Sequence, residues 1–240
     1  MNDIGEFILL QLQNVAGQRA RRVGDAALAG RVAAIKRFQH QRFSRTYADL
    51  LADRRHGRAA AFFLEDLYGP ADFSDRDAQF ARIVPALVRL FPREIVGTVA
   101  ELAELHALSE RLDSAMAAAV PGPAFDAPVY ADAWRQLGDP AAREKQIALM
   151  LSVGTALERY TRNPLLRHSL RLMRAPSQAA GLGALQSFLE RGFDTFRGMG
   201  GAAEFLQIIA TRERLLARRL FDGGHTDEAE SAAAGPPPAG

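Results

Sequence analysis

Cysteine is absent from this sequence. That removes disulfides, thiolate nucleophiles, iron–sulfur clusters and cysteine-ligated zinc in one step. Lysine is nearly absent too: Lys36 and Lys145 are the only two. Basic charge is therefore carried by arginine, and the sequence pI of about 9.3 reflects that substitution. The formal net charge is only +2, which gives little long-range steering of a charged partner. Apolar runs are short, and none approaches the roughly 18 residues of a membrane span. The start, Met1 to Leu10, is acidic with a brief apolar stretch, unlike a secretory signal. A cytoplasmic protein with no membrane partner is the expectation.

Several catalytic signatures are missing as well. There is no Gly-x-x-x-x-Gly-Lys loop, Gly-x-Gly-x-x-Gly, His-Glu-x-x-His, Gly-x-Ser-x-Gly or EF-hand loop. No Glu-x-x-His pair occurs to build a four-helix di-iron site. No run of β-branched and aromatic residues alternates with period two.

What is present is helical periodicity, and hydrophobic residues at 48% supply enough apolar surface for a sizeable core. The sequence predicts an all-α bundle of eight or nine helices over residues 25–222. Residues 1–24 read as a loose extension and polar linker, with Phe7 to Leu10 a loose or docking segment. Residues 223–240 read as a disordered tail, because they offer little to bury. A first helix is expected from Asp25 to Leu51, stopped by Gly57, and a second from Arg58 to Tyr68, ended by Gly69-Pro70. Ser74 to Asp77 resembles a capping box. Pro92, Asp139-Pro140 and Asn163-Pro164 open later helices. Residues 1–58 carry basic excess and residues 59–130 acidic excess. They provide either a basic surface for an anion or helices that neutralise one another locally.

Four clusters invite a chemical reading. On the helix from Pro92 to Ala119, His106, Ser109 and Asp113 fall among Ile95, Val99, Leu102, Leu105, Leu112 and Met116, flanked by Glu110. Buried polar groups need partners, so this is either half of a pocket holding a general base or metal ligand, or a core histidine bonded to Glu110. Arg143 and Glu158 on a later helix are candidate partners for it. Arg167, Arg171 and Arg174, preceded by Arg159 and Arg162, recur at helical spacing and suit an anion. No aromatic residue is interleaved for base stacking, so nucleic acid is not expected. Glu65, Asp66, Asp72, Asp75 and Asp77 surround a turn, but their spacing matches no cation loop. Gly198-Met199-Gly200-Gly201 beside Arg197 is either an anion site at a helix start or a tight turn.

The segment Phe62-Phe63-Leu64-Glu65-Asp66-Leu67-Tyr68-Gly69-Pro70 resembles the Phe-Phe-Leu-x-Asp-Leu-Tyr-Gly-Pro signature of an uncharacterised proteobacterial helical family. Arg143 to Ile147 and Phe196 to Ala202 are similar to further blocks in it, and abundant alanine and glycine suit a GC-rich bacterial genome. The resemblance implies a helical fold and no activity, with no site residues to carry over. The leading expectation is a non-enzymatic binding or interaction module. The alternatives are an oxygenase-like enzyme, dependent on metal or haem, at the His106 cluster, and an anion or nucleic-acid site on the Arg167–Arg174 face. The cofactor is unknown, and self-association is left open.

Overall fold

The structure is a computed structural model that describes residues 3–67 and 73–224. Among these residues the chain is all-α, with no strand: α1 (Asp3–Val23), α2 (Ala26–Thr46), α3 (Ala48–Ala52), α4 (Gly57–Phe62), a π-helical turn (Phe63–Leu67), α5 (Ser74–Leu90), α6 (Arg93–Ala119), α7 (Ala127–Leu137), α8 (Pro140–Thr161), α9 (Pro164–Leu172), α10 (Arg174–Ala179), α11 (Gly183–Gly198) and α12 (Ala203–Phe221). The helix end expected at Gly69-Pro70, the candidate Asp72 and the tail from residue 225 lie outside the described residues.

Local chemistry sets most boundaries. Asp25, Asp126, Asp139 and Asn163 each accept a hydrogen bond from a first-turn backbone N–H at 2.9–3.1 Å, supplying donors that would otherwise be orphaned. Gly138 closes α7 at φ 54°, a conformation glycine adopts without strain. The expected capping box does not form. Phe73 occupies the capping position of α5 without a side-chain bond, and Asp77 is drawn to His106 instead.

The largest correction concerns the amino-terminal segment. It is not a loose linker but the long helix α1, packed chiefly along α6. Ile8, Leu12 and Val15 are buried, each worth roughly 1.5–3 kcal/mol. Their line continues through Arg19 and Arg22 in alternating steps of four and three. On α6 the facing line is Val96, Ala100, Ala103, Ala107, Glu110, Ser114 and Ala117, with the same spacing. This is the 3.5-residue seam of two long helices packed side by side. Ile8 clusters with Val96 and Ala100, and Arg22 reaches Glu110 and Ser114, so the two helices run in the same direction. Alanine at four of these α6 positions lets the backbones approach closely. The bulkier Ile95, Val99, Leu102 and Leu105 are only half-buried.

The helix expected over residues 25–51 breaks at Tyr47. That side chain is fully buried, and its hydroxyl donates to Glu213 Oε1 at 2.8 Å. Gly57 starts α4 rather than stopping a helix. A Cβ there would stand 2.7 Å from the Leu51 carbonyl oxygen, so the close turn requires glycine. α1, α3 and α10 are the helices beyond the expected eight or nine. α6 lies at the centre, against α1, α2, α5, α7 and α8.

Candidate functional site

The polar cluster expected on α6 resolves into separate jobs. His106 Nε2 lies 2.8 Å from Asp77 Oδ2 of α5, not against Glu110, Arg143 or Glu158. Arg19 of α1 reaches the same Asp77 oxygen at 2.9 Å. Glu110 is nearly enclosed and takes Arg22 Nη2 and Lys36 Nζ, each at 2.7 Å. Lys36 stands 3.4 Å from Asp113. Cations from α1 and α2 thus meet carboxylates from α5 and α6. The basic and acidic stretches of the sequence neutralise each other here.

Electrostatics follow the geometry. Burial alone would raise the Glu110 carboxyl, but Lys36 and Arg22 override it and hold the pKa at about 2. Burial opposes ionisation of Asp77 as well, and its bond to His106 with Arg19 nearby leaves it below the usual carboxylate range. Neither of two surface clefts on the molecule is lined by His106.

Ser109 accepts a bond from Gln146 Nε2 at 2.8 Å, and Gln146 accepts in turn from Arg143 Nη1 at 3.2 Å. Arg143 is buried, with its guanidinium 3.8 Å from the centre of the Trp134 ring and its Nη2 without a hydrogen-bond partner among the described residues. Burial lowers its pKa, and the Tyr130 and Asp113 groups offset this only in part. Glu158 pairs with Arg162 at 2.6 Å and takes no part in either group.

The remaining candidates are largely committed to structure. Arg167 binds Asp194 at 2.9 Å and Arg174 binds Glu190 at 2.6 Å, while Arg171 makes no ion pair among the described residues. Asp66 pairs with Arg191. No three His, Asp or Glu side chains converge as a metal would require, among the described residues. The turn Gly198 to Gly201 is fastened by Arg55, which donates to the Met199 and Gly201 carbonyls at 2.8 and 3.0 Å.

Sequence reasoning missed a cleft of about 520 Å³ between α1, α6 and α8. Gln11, Asn14 and Gln18 recur along one face of α1 and form one wall, with Arg21 at its end. Arg111 and Lys145 stand on α6 and α8. Lys145 pairs with Glu104, and Arg111 lies 3.6 Å from Asp139. Arg21 is exposed and makes no ion pair among the described residues. The available signal was the spacing of Ile8, Leu12, Val15, Arg19 and Arg22. It marks α1 as a packed helix and would have put its amides beside α6.

No helix of the described residues is long and apolar enough to cross a membrane. No curated protein and no solved structure matches the chain. A family described as Domain of unknown function (DUF8198) matches over residues 18–227, which takes in the helices from the end of α1 through α12. The chain belongs to that uncharacterised family.

Proposed function

We propose that the protein is a non-enzymatic helical binding module that receives a small hydrophilic anion in the cleft between α1, α6 and α8. One observation carries this reading: Arg111 and Lys145 line a cleft opposite a row of side-chain amides that ends in Arg21. The volume, about 520 Å³, suits a small molecule. Most of the lining residues are polar or charged, which favours a carboxylate or phosphate held by charge-assisted bonds. Glu104 and Asp139 occupy part of the cationic capacity, and Arg21 is left for a ligand. A cytoplasmic location belongs to the same proposal, as does the finer identification with a proteobacterial group carrying the Phe-Phe-Leu-x-Asp-Leu-Tyr-Gly-Pro signature.

The test is thermal unfolding and calorimetry with inorganic phosphate and citrate. Either anion should raise the melting temperature of the wild-type protein, and Arg21→Ala with Arg111→Ala should abolish the rise without changing the melting temperature in plain buffer. Equal response in the double variant, or no response to any anion, sinks the reading.

A further inference from the structure

From Glu158 to Glu190 the chain has no acidic residue between the two, yet it carries Arg159, Arg162, Arg167, Arg171, Arg174 and His168. The helix α9 lies in the middle of this stretch, and none of its residues is buried. It is braced from one side only, against α8, α10 and α11. Arg167 of α9 and Arg174 at the start of α10 are anchored to Asp194 and Glu190 of α11, which fixes which way α9 faces.

Its outward side carries large apolar side chains around the exposed Ser169. Leu165, Leu172 and Met173 are 73%, 64% and 52% exposed. At about 100° per residue Leu165 and Leu172 stand almost in line, with Met173 about a quarter-turn away. Single exposed leucines are ordinary, but two on one projecting helix with an exposed methionine at its C-cap are not. His168 and Arg171 border them, exposed and without ion pairs among the described residues.

We infer that α9 is a peripheral docking element for anionic lipid surfaces, with Leu165, Leu172 and Met173 entering the headgroup zone and Arg171 and His168 meeting the lipid phosphates. Two features select a lipid over a protein partner. The exposed apolar area of three side chains is below the apolar half of a stable protein interface, which buries roughly 800 Å² per partner in all. A short apolar wedge bordered by Arg171 and His168 is instead what binds at the boundary of headgroups and acyl chains, where charge and apolar burial act together. The site lies on α9, away from the cleft between α1, α6 and α8, and does not depend on it.

The experiment is co-sedimentation of the full chain with vesicles of phosphatidylcholine, with and without one third phosphatidylglycerol, at low and at high salt. Partitioning should be about tenfold stronger on the anionic vesicles at low salt. Leu165→Ser with Leu172→Ser should reduce it by about tenfold, and Arg171→Glu should do so as a separate variant. All three substitutions are at exposed positions, and circular dichroism should show unchanged helix content in both variants. No binding to anionic vesicles overturns the inference. So does binding that the leucine variant retains, which would be charge attraction alone. Equal binding to polyglutamate beads would assign the surface to an acidic protein partner and overturn it as well.

Discussion

Glu110→Gln tests the physical account of the seam between α1, α2 and α6 most directly. The wild-type carboxylate has a pKa near 2 in the folded protein against an ordinary value of 4.5. At about 1.4 kcal/mol per pH unit, that lowering corresponds to about 3 kcal/mol of stability. Because the folded pKa is depressed, this stability is present above the ordinary carboxylate range and is lost as pH falls toward 2. Glutamine keeps the shape and removes the charge, leaving Lys36 and Arg22 facing a neutral amide. At neutral pH the variant should be about 3 kcal/mol less stable, within the range for breaking an enclosed ion pair. For a chain of this size that lowers the melting temperature by about 6–12 °C. Urea unfolding followed by circular dichroism at a series of pH values reads both predictions. The gap between wild type and variant should be full at neutral pH, start to shrink as pH falls through about 4.5 and be nearly gone at about pH 2. A variant within about 1 kcal/mol of wild type at neutral pH would place Glu110 with ordinary surface charges. A gap independent of pH would show that the loss is not one of charge. Either result refutes the argument.

Three further outcomes are expected. Deleting residues 1–23 removes Ile8, Leu12 and Val15 from the core, a loss of about 5–9 kcal/mol that most domains of this kind do not survive. A truncated chain with a cooperative melt and native helix content would contradict the packing of α1. Arg143→Met should hold or raise stability in urea, because it replaces a buried cation with an unpartnered Nη2 by an apolar chain of similar length. Arg143→Ala, which leaves a cavity beside Trp134, should lose about 2–4 kcal/mol, and equal damage from both variants would mean that the charge itself is needed. Gly57→Ala should lose about 1–3 kcal/mol because its Cβ would meet the Leu51 carbonyl. Gly30→Ala, where nothing lies within 4 Å, should instead gain up to about 1 kcal/mol by helix propensity, so matching thermal shifts for the two would be evidence against the close turn.

Much of the helical layout is legible in the sequence because its causes are local. Asp139-Pro140 and Asn163-Pro164 satisfy or remove first-turn donors whatever surrounds them, and Gly138 accepts a left-handed conformation anywhere. The absence of alternating β-branched runs points to helices for the same reason. Other features depend on what stands across from a residue. Arg19 and Arg22 look like part of a polar linker until α6 brings Glu110 within 2.7 Å of Arg22. His106 looks like a partner for Glu110, one turn away, until α5 delivers Asp77. Tyr47 reads as an ordinary helix position until Glu213, far along the chain, draws its hydroxyl inward. The alanines of α6 are poor hydrophobic markers, yet they line the seam along which α1 packs. Sequence alone therefore determined the all-α class and most helix boundaries, since these follow from backbone donors and side-chain period within a few residues. Only the tertiary structure decided which charges neutralise each other, which left the amides of α1 lining a cleft, and which turned the leucines of α9 outward. Those outcomes depend on distances between segments that no local period encodes.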